Sequence, residues 1–174
     1  TLVWRKQPIY VVRRTEESVK TLGAHAPQLK DPGSSASLQP EYAKNDMRSR
    51  RADVLVIIAT CTHLGCLPKQ HFEPASVEMG ADWPGGFFCP CHGSKFDLAG
   101  RVMNGSPAST NLAIPPYIVH TIFKNNIIYE DNIIVSIVRR VDPYGVTGFF
   151  KDVGKQMALA ALVLAPGVAY DLVE

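Results

Sequence analysis

The chain has 174 residues, of which 46% are hydrophobic and 20% are charged, and its formal net charge at pH 7 is +2. A low net charge combined with aliphatic runs excludes a globally disordered chain. The small positive excess argues against bulk nucleic-acid binding, and no run of about 18 apolar residues is present that could cross a bilayer. Thirteen glycines and thirteen prolines favour loop-rich, mainly β structure.

The chain opens with strand patterns and a helix signal. Residues 2–5 and 8–13 are β-rich runs on either side of Lys6-Gln7, which predicts a hairpin rather than a secretory leader. Thr15 is then expected to cap the start of a short helix, because two acidic residues follow it in the first turn. Gly23 is expected to end this helix.

A long polar segment separates this opening from the next strand. Residues 24–51 are rich in turn-forming residues, so a surface excursion with little regular structure is expected. We interpret its arginine cluster, Arg48, Arg50 and Arg51, as a solvated face, with an anion site as the alternative. The β-branched run at 53–60 predicts a buried strand that delivers Cys61 to its end, and residues 68–85 are expected to form another loop.

The rest of the chain predicts a meander followed by a different segment. Strands are expected where β-rich runs alternate with the turns KNN and EDN, at 112–114, 117–123, 127–130 and 133–138. Residues 139–174 instead carry apolar residues at helical spacing up to Pro166. We expect a surface-packed helix there, with a membrane-lying segment or an artificial sequence as the alternatives.

All four cysteines fall in two short loops that each also contain a histidine. Loop 1 is CTHLGC at 61–66, and loop 2 is CPCHGS at 89–94. Thiolates and imidazoles at loop tips suit zinc or iron–sulfur chemistry. A structural zinc site takes four ligands, which leaves two of the six side chains without a role.

Cys-x-His followed by Cys-x-x-His is the ligand signature of a Rieske [2Fe–2S] centre. Loops 1 and 2 resemble the Rieske iron–sulfur subunit of ubiquinol:cytochrome c reductase, the cytochrome bc complex, of the proteobacterial type. The extra cysteine in each loop separates this branch from Rieske ferredoxins and ring-hydroxylating dioxygenases. The stretches WRKQPIYVVRRTEE and GRVMNGSPASTNLAIPPY also resemble this family, so the resemblance covers about residues 1–135.

The resemblance implies a mainly β fold, a Rieske-type antiparallel β-sandwich over residues 1–138. A small cluster-binding subdomain would occupy about residues 59–114, inserted in a β base domain. One short helix in an insertion and a candidate C-terminal helix complete the expectation. The extension at 139–174 has no counterpart in the family, and its role is unknown.

The resemblance also implies one Rieske-type [2Fe–2S] cluster and its ligands. Cys61 and Cys89 would bind the inner iron, and His63 and His92 the outer iron. The remaining cysteines, Cys66 and Cys91, would form a disulfide.

Further residues would support the cluster by family analogy. Ser94 would donate a hydrogen bond to a bridging sulfur, which raises the reduction potential. Gly65 and Gly93 would allow tight turns that bring backbone N–H groups near the sulfurs. The proline loop, GSPA at 105–108 with Pro107, would cover the third side of the cluster.

One position departs from the family pattern. Many members carry tyrosine two residues after the serine, with its hydroxyl bonded to a ligand cysteine sulfur. This chain has Phe96, which has no hydroxyl. The reduction potential is therefore expected in the upper half of the Rieske range of about −150 to +300 mV, but not at its top.

The implied function is electron transfer within a respiratory complex. The chain would accept an electron from ubiquinol, with the proton passing to His63 or His92, and would pass the electron to a c-type cytochrome. Leu64 would pack at the docking surface for quinol and the cytochrome b subunit. The enzyme would be the whole complex, and the isolated chain an electron carrier.

The expected location is a bacterial inner-membrane complex with the cluster domain facing the periplasm, because a disulfide needs an oxidising compartment. The opening residues have a strand pattern, so we do not expect the family's N-terminal membrane anchor within this sequence. Membrane association is therefore expected through a further segment or through partner subunits.

Two other functions compete with this interpretation. A soluble Rieske ferredoxin or oxygenase module would leave Cys66, Cys91 and Leu64 unexplained, and a zinc-stapled interaction domain would waste both cysteines. Ordinary roles are expected for the remaining notable residues. The histidines His25, His71 and His120 are expected to lie at the surface or to have their hydrogen bonds satisfied within the protein. Trp4, Trp83 and Tyr117 are expected to be packing residues. Lys95 and Arg101 are expected to be solvated charges, with electrostatic steering of an acidic partner as the alternative.

Overall fold

The computed structural model describes residues 2–124 and 127–137, and the predicted C-terminal helix lies outside these residues. The strands are β1 (Leu2–Trp4), β2 (Gln7–Arg13), β3 (Val54–Ile58), β4 (Lys69–His71), β5 (Gly86–Cys89), β6 (Ser94–Asp97), β7 (Tyr117–Lys124) and β8 (Ile127–Ile137). Every strand pair in the described part of the chain is antiparallel, which confirms the mainly β fold class. The described residues contain no helix with the length and apolar character needed to span a membrane.

The first sheet has the order β1-β2-β3. Arg5 and Lys6 form the turn between β1 and β2, with φ of 51° and 64°. Two central residues with positive φ are typical of the type I′ turn, whose twist matches that of a hairpin. The predicted hairpin is therefore present, but its turn lies one residue earlier than the expected Lys6-Gln7.

The single α-helix among the described residues, α1 (Glu16–Thr21), begins as predicted. The side chain of Thr15 accepts a hydrogen bond from the Ser18 N–H at 3.2 Å, which satisfies one of the free donors of the first turn. The predicted end at Gly23 is wrong, because the chain continues from Thr21 directly into a 3-10 helix at Leu22–Gln28.

The second sheet has the order β4-β5-β6 and shares a core with the first. The ring of Tyr10 in β2 stacks on that of Phe87 in β5, with centroids 5.9 Å apart. Two strands of this sheet were not predicted. β4 lies inside the expected loop at 68–85, and β6 follows loop 2 directly.

The C-terminal strands form a two-stranded hairpin instead of the predicted meander. The strands expected at 127–130 and 133–138 are one continuous strand, β8, so EDN is not a turn. The strand expected at 112–114 is also wrong. That segment is irregular, and its backbone bonds reach Ile58 and Leu38 rather than a regular ladder.

The arginine cluster of the polar segment is not a solvated face, because Arg48 is fully buried. Its guanidinium donates to the Gln39 side chain and to the backbone carbonyls of Ala99, Gly100 and Leu112. Burial lowers the pKa of Arg48 to about 10, so the group remains charged at neutral pH. The carbonyl oxygens therefore replace the lost hydration and fasten the polar segment to the core. Only Arg50 of the cluster is exposed.

Arg101 is likewise not a solvated charge. Its Nε lies 2.7 Å from Asp97 Oδ2, and both side chains are only 1% exposed. Asp97 also accepts the backbone N–H groups of Ala99 and Arg101, at 2.9 and 2.8 Å. Asp97 is the buried carboxylate that balances the buried guanidinium groups around it, which include Arg14 and Arg48.

We expect Asp97→Asn to lower the free energy of unfolding by about 3–5 kcal/mol, because a buried guanidinium loses its counter-charge. The control is Asp53→Asn, whose partner Arg51 and whose own side chain are 36% and 32% exposed, and which should cost no more than about 1 kcal/mol. Urea unfolding of the two variants measures both values. Equal losses would contradict a special role for the buried pair.

Candidate metal centre

Loop 1 leaves the end of β3 as a tight, hydrogen-bonded turn. The Cys61 carbonyl accepts the Gly65 N–H at 2.9 Å, and the Cys61 N–H donates to the Cys66 carbonyl at 2.8 Å. Gly65 has φ of +83°, a region where side chains are strained, so glycine suits this turn.

Loop 2 joins β5 to β6 and repeats the same bond pattern. The Cys89 carbonyl accepts the Gly93 N–H at 2.9 Å, and Gly93 has φ of +78°. In both loops the bond spans four residues, so the cysteine and the glycine define one turn with the histidine inside it. The two loops are thus similar structures carried by two different sheets.

A disulfide bond is present, as expected, and it joins Cys66 of loop 1 to Cys91 of loop 2. A second link holds loop 1 in place, since Thr62 Oγ1 donates to the Thr110 carbonyl at 2.6 Å. Sequence reasoning did not single out Thr62, because nothing in the sequence brings it near Thr110.

The other two cysteines, Cys61 and Cys89, carry free thiols that are 2% and 1% exposed. Burial raises the pKa of the Cys89 thiol, and its hydrogen bond with Cys61 raises it further. The backbone N–H groups of Cys91 and His92 approach the same sulfur and act in the opposite direction. The raised pKa keeps the Cys89 thiol protonated in the absence of a metal, and a bound metal cation would stabilise its thiolate form.

The two histidines lie side by side, with ring centroids 4.8 Å apart and planes nearly perpendicular, at 89°. His63 Nδ1 is buried and has no hydrogen-bond partner in the described part of the chain. A buried ring nitrogen without a protein partner calls for a bound ligand, which can be a metal ion or a water molecule. His92 is exposed.

These observations test whether an iron–sulfur cluster fits the site. The sulfurs of Cys66, Cys89 and Cys91 lie within 4.8 Å of one another, but the disulfide removes two of them as ligands. A four-cysteine site is therefore incompatible with this arrangement. The available donors are two thiols and two imidazoles, which fit a mixed-ligand [2Fe–2S] cluster.

Ser94 and the proline loop lie against loop 2. Ser94 is fully buried, and its hydroxyl oxygen accepts the Ala108 N–H at 3.0 Å. That bond uses a lone pair and leaves the hydroxyl hydrogen free to donate elsewhere. Pro107 is exposed at the tip of the loop, and Leu64 at the tip of loop 1 is 69% exposed.

Residues 43–117 match the Rieske [2Fe–2S] domain family. The chain therefore contains a Rieske [2Fe–2S] domain. This Rieske protein is 49% identical over 115 residues to the ubiquinol-cytochrome c reductase iron-sulfur subunit of Allochromatium vinosum, which covers 66% of this chain and 56% of that relative. The subunit of the same name from Blastochloris viridis is 41% identical over 114 residues, covering 66% and 54%. The mitochondrial cytochrome b-c1 complex subunit Rieske-1 of Arabidopsis thaliana is 36% identical over 118 residues, covering 67% and 36%. The matches thus cover little more than half of these bacterial relatives.

Removing the disulfide should destabilise the domain even without a cluster. The bond closes a loop between residues 25 apart, for which loop entropy gives about 3–4 kcal/mol. We expect the double variant Cys66→Ala/Cys91→Ala to lose about that much free energy of unfolding in the metal-free protein. Chemical reduction of the native protein should give a similar loss, measured by denaturant unfolding. Unchanged stability in both experiments would contradict this account.

Proposed function

We propose that this Rieske protein is the electron-transfer subunit of a ubiquinol-oxidising complex of the cytochrome bc type. It would take one electron from ubiquinol and deliver it to a c-type cytochrome. The observation that carries this proposal is the pair of adjacent imidazoles on two disulfide-bridged loops, with an exposed leucine at the tip. The relatives from Allochromatium vinosum and Blastochloris viridis, named as subunits of ubiquinol-cytochrome c reductase, support it.

In this proposal Cys61, Cys89, His63 and His92 bind the metal, and Cys66–Cys91 joins the loops. The bound [2Fe–2S] cluster supplies one-electron storage at a potential that histidine ligation raises. The burial of both thiols and the unpartnered His63 Nδ1 support the ligand assignment.

The histidines would also handle the proton of quinol oxidation. Each imidazole bound through one ring nitrogen keeps its other nitrogen to hold or release a proton. His92 is exposed and His63 is half-buried beside it, so a quinol hydroxyl could approach either ring. The proton would then be held by an imidazole, and the electron by the cluster that this imidazole binds.

Docking would use the apolar rim of loop 1. Leu64 and Leu67 are 69% and 47% exposed, and both flank the disulfide. Exposed apolar side chains beside a redox site are suited to burial against a partner, for which the cytochrome b subunit is our proposal. By family analogy, the electron would leave for a c-type haem after the domain moves.

The disulfide and the relatives support a proposed location. Because a structural disulfide persists in an oxidising compartment, we place the domain at the periplasmic face of a bacterial inner membrane. Attachment to the membrane would come from a further segment or from partner subunits. The cluster-binding unit is proposed to span about residues 59–114 within a domain at 1–138.

Potentiometric titration of the purified protein with low-temperature EPR tests this function. We expect a mixed-ligand [2Fe–2S] signal at clearly positive potential, within the Rieske range of about −150 to +300 mV. The same signal near the bottom of that range would replace the proposal with a ferredoxin-like or oxygenase carrier. A sample that contains zinc and no iron would overturn the redox function.

A separate prediction concerns Phe96, which is fully buried and pairs with Phe87 across β5 and β6. We expect Phe96→Tyr to raise the reduction potential, because the added hydroxyl can donate a hydrogen bond to a ligand sulfur and stabilise the reduced cluster. Phe88→Tyr is the control, since Phe88 is half-buried in the same strand as Phe87 and its side chain points to the other face of the sheet. An unchanged potential in Phe96→Tyr would show that this position does not tune the cluster.

A further inference from the structure

The proline loop is held from outside by a lysine of the polar segment. Lys30 Nζ donates to the Ala108 carbonyl at 2.9 Å and to the Ser106 carbonyl. These two carbonyls flank Pro107, which has no N–H of its own with which to anchor the loop. One ammonium group therefore bridges both sides of the proline.

The backbone around Lys30 is also fixed against the strand-like segment before the proline loop. Its N–H donates to the Val102 carbonyl at 3.0 Å, and the Asn104 N–H donates to the Gln28 carbonyl at 2.7 Å. Leu29 forms an isolated antiparallel bridge with Met103. The lysine stem thus starts from a fixed point, which reduces the entropy lost when its ammonium binds the loop.

No salt bridge in the described part of the chain involves Lys30. Its charge is directed at backbone carbonyls, and hydrogen bonds from a charged donor are about twice as strong as neutral ones. A lysine that made only a solvated surface charge would not need two buried or half-buried acceptors. The contact indicates a positioning role.

The bonds continue from the lysine towards loop 2. Ala108 accepts from Lys30 through its carbonyl and donates through its N–H to Ser94 Oγ at 3.0 Å. Ser106 Oγ accepts the Lys95 N–H at 3.0 Å, so the loop is fastened to β6 at a second point. The orientation of the Ser94 hydroxyl consequently depends on where the loop lies.

We propose that Lys30 is a positioning residue that sets the reduction potential of the cluster by fixing the proline loop and, through Ala108, the Ser94 hydroxyl. This inference rests on the proposed role of Ser94 as a donor to the cluster. Lys30 itself touches no ligand. It acts by keeping the Ala108 N–H bonded to the Ser94 hydroxyl oxygen, which leaves the hydroxyl hydrogen available to donate away from the loop.

The test compares Lys30→Met with Lys44→Met in the cluster-containing protein. Methionine keeps much of the stem length and removes the donors, and Lys44 is a lysine of the same polar segment that pairs with Glu41. We expect Lys30→Met to lower the reduction potential and to speed hydrogen exchange of the Ala108 amide about tenfold, the factor for a loss of about 1.4 kcal/mol. Lys44→Met should change neither. Lys30→Arg, which keeps the charge and the donors, should restore most of both properties.

Each other outcome overturns the inference. Native exchange at Ala108 in Lys30→Met would show that the lysine does not hold the loop. Faster exchange with an unchanged reduction potential would show that the loop does not act on the cluster. An equal fall of the reduction potential in Lys44→Met would show that the loss of any positive charge in this segment has the same effect. Ser94→Ala separates this inference from the proposed function, because an unchanged reduction potential in that variant would refute the role of Ser94 whatever Lys30 does.

The variants are expected to fold, because Lys30 is exposed. Hydrogen exchange of the buried Val56 amide reports whether each variant keeps its fold.

Discussion

Two loops that extend from different sheets have to meet tip to tip, and the site depends on that meeting. Loop 1 follows β3 in the first sheet, and loop 2 joins β5 to β6 in the second. The stacked rings of Tyr10 and Phe87, and the bond from the Tyr10 hydroxyl to the Pro68 carbonyl at 3.0 Å, hold the sheets together in the core. The disulfide then joins loops that packing has already brought close, so it secures an arrangement rather than creating it.

The polar segment at 24–51 has a role that its composition conceals. The buried guanidinium of Arg48 donates to the backbone carbonyls of Ala99 and Leu112. The ammonium group of Lys30 donates to the Ala108 carbonyl of the proline loop. The stack of Arg50 on Tyr42, with the guanidinium carbon 3.6 Å from the ring centroid, fastens the same segment near the start of β7. A stretch with little regular structure is therefore held by long-range side-chain bonds and acts as a scaffold for the metal centre.

The sequence was sufficient for the parts of the molecule whose signal is local. The spacing of cysteine and histidine in the two loops, the β-branched run before Cys61 and the cap at Thr15 each lie within a few residues. The roles of Arg48, Arg101 and Lys30 could not be predicted in this way, since their partners lie tens of residues away or depend on burial that composition does not reveal. The prediction of a turn at EDN was wrong for a related reason. Turn-forming residues lower strand propensity only slightly, and the pairing of β8 with β7 outweighs it.

The most direct measurement is electron–nuclear double resonance on the reduced protein labelled with ¹⁵N at histidine only. The account predicts strong couplings from two histidine nitrogens, and the loss of at least one coupling in both His63→Cys and His92→Cys. Couplings from two histidines would mean that the paired imidazoles of loops 1 and 2 bind the iron. The absence of histidine couplings in a protein that nevertheless contains a [2Fe–2S] cluster would contradict the central claim. It would require cysteine ligation that the disulfide between Cys66 and Cys91 forbids.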